Sequence, residues 1–175
     1  MQRVPDLDFV ALDVETAARE PASICQLGLA MFVRGVLVSV ETHLVRPRVA
    51  FAAAHTKLHG IDENTVKDAA VWSEVYALVR SKLHAQCVVS YTLFDRRALF
   101  RACCRSSVPM FSYVKWSDAH RLAKQAWRGL DSYSLSGVAA HLGIVYSAHD
   151  AGEDARAAGE VYVRAMRVLS GADAS

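Results

Sequence analysis

The sequence predicts an α/β protein in which helices flank one mixed β-sheet. Three strand-like segments come first along the chain, and helix-like and strand-like segments alternate after them. Leading strands followed by such an alternation are typical of a mixed sheet with helices on its faces. Hydrophobic residues make up 53% of the 175 residues, and a chain of this length can bury a substantial core as one domain, residues 1–175.

Apolar runs predict the first three strands, which are expected at residues 8–14, 24–33 and 36–45. The short connection between the second and third strands predicts a β-hairpin. In the third strand Val36, Val38 and Val40 share a face with Thr42, and this alternation predicts a half-buried strand.

The remainder of the chain predicts two short strands and five helices. The strands are expected at residues 87–91 and 113–119, and the helices at residues 72–83, 95–104, 120–127, 133–144 and 154–169. A further helical turn is expected at the alanine cluster 52–54. The helical period turns two sets of side chains inward: Val75, Leu78, Val79 and Leu83 from the first helix, and Ala98, Leu99, Ala102 and Cys103 from the second.

Composition argues against several classes of protein. No apolar run approaches the ~20 residues that span a bilayer, and the N-terminus lacks the apolar segment of a signal peptide, so a cytoplasmic protein is expected. The net charge of +2 argues against a strongly basic coat for nucleic acid but allows a local basic rim. The cysteines lack the spacing of metal ligands and are expected to be buried free thiols: Cys25, Cys87, Cys103 and Cys104.

The first strand carries two carboxylates where a buried core is expected. In the stretch DFVALDVETA, Asp13 and Glu15 are two positions apart and therefore point to the same face. At ~5 Å separation and an effective dielectric near 20, their repulsion costs about 3 kcal/mol. The pair is either solvated at a strand end, where Glu15 and Thr16 would open a turn, or arranged around a cation. The carboxyl end of a strand is where open α/β sheets place their sites, which favours the cation.

A divalent cation needs further oxygen ligands, and Asp95 is the first candidate to supply one. This residue follows directly after the strand expected at 87–91. It either caps the next helix or joins the acidic pair, and taken alone the capping role is favoured because aspartate is a common N-cap.

The stretch HDAGEDARAAG, residues 149–159, supplies the second group of candidates before the last helix. Asp150 and Glu153 have the spacing of a capping box and are assigned to helix initiation. Asp154 falls in the first turn, where a carboxylate also suits the helix dipole. His149 lies just ahead of it in a loop of small residues. The other six histidines are expected to be structural or exposed: His43, His55, His59, His84, His120 and His141.

Together these segments resemble the three motifs of the DEDDh 3′–5′ exonucleases, a family that includes the epsilon proofreading subunit of bacterial replicative polymerase, ribonuclease T and oligoribonuclease. The matching residues are Asp13 and Glu15 in DVET, Asp95 in FD, and His149 and Asp154 in HDAGED. Their order and spacing fit the family, and five matching residues in the correct order are a far more specific signal than any single motif.

The resemblance extends over nearly all of residues 8 to 166. The segment LHGIDENTV (58–66) is similar to the family's His-Gly-Ile segment, and YSLSGVAAHLGI (133–144) to the helix before its last motif. It implies a ribonuclease H-like fold, a mixed five-stranded sheet flanked by helices. One position departs from the pattern, because many relatives have asparagine four residues before the aspartate of the second motif, where this chain has Tyr91.

The resemblance implies metal-dependent hydrolysis of phosphodiester bonds at 3′ ends, with release of nucleoside monophosphates. Asp13, Glu15 and Asp154 would bind one Mg²⁺ or Mn²⁺, and Asp13 with Asp95 would help to hold a second. Two such ions ~3.5–4 Å apart activate a water and stabilise the leaving oxygen. His149 would accept the proton of the attacking water, a role that suits imidazole at neutral pH.

The resemblance also implies contacts to the terminal nucleotide. The backbone around Glu15 and Thr16 and the segment from Leu58 through His59 to Ile61 would cradle it.

Aromatic and basic side chains near the second motif have two interpretations each. Tyr91 and Phe94 are candidates for stacking on a base, although core packing at a strand end also explains them and is preferred for Phe94. Arg96 and Arg97 would meet phosphate or form a solvated helix face.

A single-stranded DNA end is the favoured substrate, and an RNA-trimming or oligoribonucleotide-degrading enzyme is the alternative, because the metals act on phosphate and ignore the sugar. An inactive nucleic-acid-binding module and a structural protein with capping acids are further alternatives. The five expected residues disfavour the first, and their joint order disfavours the second. A proofreading role would need a polymerase partner, for which the ending SGADAS offers no visible tether.

Overall fold

The computed structural model describes residues 7–171, within which five strands and six helices are found. The strands are β1 (Phe9–Thr16), β2 (Ile24–Val33), β3 (Val36–Leu44), β4 (Cys87–Ser90) and β5 (Lys115–Asp118). The helices are α1 (Ala53–His59), α2 (Trp72–Leu83), α3 (Phe94–Arg105), α4 (Ala119–Ala126), α5 (Leu135–Leu142) and α6 (Ala151–Leu169). No helix in this part of the chain is long and apolar enough to cross a membrane.

The strands form one mixed sheet in the order β3-β2-β1-β4-β5, which confirms the predicted fold class. The central strand β1 runs antiparallel to β2 and parallel to β4, and β4 runs parallel to β5. The register of the antiparallel pair places Asp13 opposite Gly28 and Glu15 opposite Gln26. The carboxyl end of β1 therefore lies in the middle of the sheet, beside the end of β4.

Most predicted boundaries agree with the structure, and β2 and α2 agree residue for residue. The strand β1 continues to Thr16, so Glu15 and Thr16 extend the ladder with β2 instead of opening a turn. Helix α6 begins at Ala151, three residues before the expected start, because Asp150 caps it. The alanine cluster grows into the two-turn helix α1. Gly143 in the left-handed conformation ends α5.

Three predictions of burial are wrong. The predicted half-buried face of β3 is exposed, with Val36 at 63% and Val38 at 60%, because β3 is an edge strand and α6 packs chiefly on β1 and β2. Leu78 is exposed on α2, since Trp72 and Tyr76 fill the buried face beside the other predicted residues. Of the free cysteines only Cys25 and Cys103 are buried.

Hydrophobic cores lie on both faces of the sheet and share the alternating residues of β1. Val10, Leu12 and Val14 point toward α2 and α3, where the predicted inward residues of α3 join them. Phe9 and Ala11 point to the opposite face and pack with α4, α5 and α6. The alternation of β1 therefore directs Asp13 and Glu15 to the α6 face.

Helix α6 lies unusually close to the sheet because glycine occupies each point of closest approach. A Cβ added to Gly28 of β2 would stand 1.9 Å from the carbonyl oxygen of Ala151. A Cβ on Gly152 would meet the hydroxyl of Thr42 at 2.3 Å, and one on Gly159 would meet the ring of Phe32 at 2.2 Å. The missing side chains bring the first turn of α6 against the end of β1.

We expect Gly28→Ala to lower the free energy of unfolding by about 3 kcal/mol, because the added methyl collides with backbone that cannot rotate away. Urea denaturation measures the loss. Gly129→Ala is the matched control: its φ is +82° and no atom lies within 4 Å of the added Cβ, so only about 1 kcal/mol of backbone strain is expected. Equal losses in the two variants would contradict the close-packing account.

Candidate active site

The acidic pair of β1 is completed by an aspartate from α3. The parallel ladder between β1 and β4 ends at Ala11 of β1. Further along β1, Val14 N–H donates to Asp95 Oδ1 at 3.3 Å. Asp95 is 4% exposed and is the second residue of α3, whose N-cap is Leu93. The capping role favoured for Asp95 alone is therefore wrong: its carboxylate joins α3 to the end of β1.

The first turn of α6 is fixed to β2 through one side chain. Ala151 N–H donates to Gln26 Oε1 at 2.9 Å, and Gln26 Nε2 donates to Asp150 Oδ2 at 3.4 Å. Asp150 Oδ1 accepts from Gly152 N–H and Glu153 N–H, each at 3.1 Å, as predicted for a cap. The other half of the predicted capping box is absent, because the Glu153 carboxylate binds Arg156.

Asp154 and His149 are held together by the loop before α6. His149 N–H donates to Asp154 Oδ2 at 2.7 Å. His149 has a φ of 68°, a left-handed conformation that costs a non-glycine residue of order 1 kcal/mol. Its side chain is exposed, and one ligand atom from each of Glu15, His149 and Asp154 lies within 4.8 Å of the others.

All five motif residues line one cleft of about 260 Å³: Asp13, Glu15, Asp95, His149 and Asp154. Tyr91 and Phe94 also line it, together with Thr92 and Leu135. Tyr91 is largely buried, and its hydroxyl donates to the carbonyl oxygen of Tyr133 at 2.6 Å. This hydroxyl therefore supports the loop before α5.

Burial and mutual repulsion raise the pKa of every carboxyl group in the cleft. Burial comes first for Asp13, followed by the charges of Asp95 and Asp154, and its pKa is well above the ordinary value. Burial raises the pKa of Glu15 to about 7, with the charge of Asp154 adding to it. Burial likewise raises the pKa of Asp95 to about 7 and that of Asp154 to about 6.

This donor set fits a divalent cation. The four carboxylates offer hard oxygen ligands from three separate segments, and these are the ligands that Mg²⁺ and Mn²⁺ prefer. Positive charge among them would offset the burial and the mutual repulsion that raise their pKa values. Asp13, Glu15, Asp95 and Asp154 can hold such ions, with His149 beside them.

Of the residues predicted to cradle the terminal nucleotide, Glu15 lines the cleft, whereas Thr16, Leu58, His59 and Ile61 do not. Thr16 and Ile61 are buried, and Leu58 is 54% exposed. His59 donates from Nε2 to the Thr16 carbonyl oxygen at 3.2 Å, while its Nδ1 accepts from Ile61 N–H at 3.1 Å. These contacts join α1 to the end of β1, and the role of this segment in binding stays a prediction.

Two positioning residues were missed by sequence reasoning. His55, expected to be structural or exposed, donates from Nδ1 to the Thr16 carbonyl oxygen at 2.8 Å. Its spacing of four residues from His59 within an alanine-rich helix was a signal that both rings share one face. Gln26 gave no signal, because a lone glutamine in an apolar strand has many interpretations.

Residues 10–162 match a family model described as exonuclease. The chain belongs to the exonuclease family. The chain has the ribonuclease H-like α/β fold that the resemblance of its sequence implies. It is 25% identical over 166 residues to the PolC-type DNA polymerase III of Caldanaerobacter subterraneus subsp. tengcongensis, covering 93% of this chain but only 12% of that polymerase.

Solved structures share the fold. Exonuclease X in complex with 5′ overhanging duplex DNA aligns with a TM-score of 0.72 and 19% identity, covering 90% of each chain. The nuclease domain of 3′hExo, a DEDDh family member bound to rAMP, aligns with a TM-score of 0.74 and 16% identity, covering 93% of each chain. At these identities the likeness concerns the fold alone.

We expect the stability of the metal-free protein to fall as pH rises. The carboxyl groups of the cleft have raised pKa values, so the folded chain binds their protons more tightly than the unfolded chain does. Their stabilising contribution is complete below about pH 4 and is lost as pH rises through about 6 to 7.

Urea denaturation in chelator between about pH 5 and about pH 8 measures this loss. Asp154→Asn, which removes one titrating group, should give a shallower decline. Stability that stayed constant or rose in the wild-type protein across this range would contradict the electrostatic account.

Proposed function

We propose that this chain removes nucleotides one at a time from the 3′ end of single-stranded DNA, using two Mg²⁺ or Mn²⁺ ions. One observation carries the proposal: four carboxylates and a histidine from β1, α3 and the start of α6 line a single small cleft. Structural acids would be dispersed or paired with bases, whereas these are buried or half-buried together and have raised pKa values.

Each carboxylate has a proposed place in metal binding. Asp13, Glu15 and Asp154 would hold one ion, and Asp13 with Asp95 would hold the other. When bound, the ions supply a reactive water and neutralise charge on the phosphodiester. The side chain of Gln26 and the backbone N–H of Val14 keep the ligand-bearing segments in place.

His149 is proposed as the general base. Its exposed ring is placed beside Glu15 and Asp154 by the strained loop before α6. An imidazole there can accept a proton from the attacking water at neutral pH and pass it to solvent.

The terminal nucleotide is proposed to lie against the backbone at Glu15 and Thr16 and the segment Leu58–Ile61, with Tyr91 and Phe94 at the other wall of the cleft. The contacts of His55 and His59 to the Thr16 carbonyl oxygen would keep that backbone rigid. We propose that residues 1–175 act as one exonuclease domain.

DNA is preferred as the substrate because the similar polymerases are DNA polymerases. The chain spans 12% of the length of those relatives. A proofreading role, which would need a polymerase, is part of the proposal. An RNA-trimming activity is the second candidate, since 3′hExo was solved with rAMP. Degradation of labelled DNA and RNA of equal sequence, with Mg²⁺, Mn²⁺ or chelator, decides between them.

We expect Asp13→Ala or Asp154→Asn to abolish release of mononucleotides while the protein stays folded. Each substitution removes a metal ligand and also relieves repulsion, so stability in chelator at neutral pH should rise by on the order of 1 to 3 kcal/mol. Glu153→Gln is the matched control, because Glu153 lies in the same turn of α6 but binds Arg156 outside the cleft. Normal cleavage by the aspartate variants would refute the metal assignment.

Replacement of His149 by glutamine tests the proposed base. We expect kcat to fall by about 100-fold or more, with little change in the Mn²⁺ concentration needed for half-maximal activity. The acidic limb of the pH–rate profile should change in the variant. A variant with the wild-type profile would exclude His149 as the base.

A further inference from the structure

A second and larger concavity lies along α3, next to the cleft. We call it the α3 groove: a depression of about 550 Å³ lined by Leu93, Arg96, Arg97, Phe100, Met110 and Tyr113. None of these residues is a proposed metal ligand or the proposed base. The groove is about twice the volume of the cleft that holds the carboxylates.

The groove and the cleft share the first turn of α3. Leu93 lines the groove, the next two residues Phe94 and Asp95 line the cleft, and Arg96 and Arg97 line the groove again. The Arg97 guanidinium carbon lies 5.4 Å from the centre of the Phe94 ring, which links the two linings directly. A chain that leaves the cleft over Phe94 therefore enters the groove.

Positive charge is concentrated on the exposed surface of α3, and two of its arginines line the groove. Its exposed charged residues are all arginines: Arg96, Arg97, Arg101 and Arg105. The only acid of the helix is the buried Asp95, whose carboxylate belongs to the cleft. This is the local basic rim that the net charge of the chain allows, and it adjoins an acidic centre that would otherwise repel a polyanion.

Within residues 7–171 no carboxylate lies within ion-pair distance of Arg96 or Arg97, and their guanidinium groups donate no hydrogen bond. Arg96 instead stacks on the Tyr113 ring, with its guanidinium carbon 5.5 Å from the ring centre. A guanidinium held against an aromatic face keeps its N–H edge open for a planar acceptor such as phosphate.

Apolar surface in the groove is open to a ligand as well. Phe100 is 53% exposed and Leu93 is 47% exposed, while Tyr113 and Met110 are half-buried between them. One exposed and one half-buried aromatic ring, interleaved with arginines, form a surface on which unpaired bases can stack while phosphates are neutralised.

We infer that the α3 groove binds the single-stranded segment of the substrate that lies upstream of its terminal dinucleotide. The arginines contact backbone phosphates, and Phe100 and Tyr113 stack on bases without reading sequence. This inference rests on the proposed function for the identity of the ligand, and it adds that substrate length controls affinity. An oligonucleotide too short to reach the groove is bound by the contacts in the cleft alone and is cleaved there.

Equilibrium binding in an Asp13→Ala background tests the groove without cleavage. The probe is 5′-fluorescein oligothymidylate of about 20 nucleotides, followed by fluorescence anisotropy over a range of salt. Adding the double substitution Arg96→Ala/Arg97→Ala should weaken binding at least about tenfold and reduce the slope of log K against log salt by about 1.4. Adding Phe100→Ala should weaken binding at least about fivefold with an unchanged slope.

Arg101→Ala/Arg105→Ala is the matched control pair, with the same change of charge on the same helix outside the groove. We expect it to keep the salt slope of the background protein. Equal losses in the two pairs, or no loss in the groove pair, would overturn the inference.

Hydrolysis in the otherwise wild-type chain separates this inference from the proposed function. Arg96→Ala/Arg97→Ala should raise KM for the oligonucleotide at least about tenfold and Phe100→Ala at least about fivefold, and both should leave the hydrolysis of a thymidine dinucleotide unchanged. Equal activity of all variants on both substrates would refute the groove and keep the nuclease. A wild-type chain that binds through the groove but cleaves neither substrate would refute the proposed function and keep the groove.

Discussion

Repulsion among four carboxylates is the constraint on which the rest of this structure depends. Asp13, Glu15, Asp95 and Asp154 lie in one cleft where burial and the neighbouring charges raise all their pKa values. No isolated segment would hold such a group together, because each acid would be more stable in water. The fold supplies the stabilisation that keeps them converged, and binding of the proposed cations would offset the cost.

Each of the three segments is held in place by its own contacts. The ladder with β2 keeps β1 extended through Glu15, so both acids point to the α6 face. The N–H of Val14 holds Asp95 against the same strand. The bare backbone of Gly28 lets α6 approach the sheet, and Gln26 fixes its first turn there. The geometry of the site therefore depends on residues that carry no charge.

The sequence predicted the elements of the fold and the acids of the site for different reasons. The period of the apolar residues was enough to place β2 and α2 at their exact boundaries. The site residues were predicted for two reasons. Asp13 and Glu15 are charged residues in a strand that is otherwise apolar, and further acids follow in the order of the DEDDh motifs. The pattern could not show the tertiary packing of the helices on the sheet. The exposure of Val36 and Val38 on an edge strand depends on where α6 crosses the sheet.

Convergence of the carboxylates on a pair of cations is the central claim, and anomalous diffraction from crystals soaked in Mn²⁺ tests it most directly. The account predicts two anomalous peaks ~3.5–4 Å apart, one bounded by Asp13, Glu15 and Asp154 and the other between Asp13 and Asp95. Density without any peak among these oxygens, or peaks only at unrelated surface acids, would contradict it.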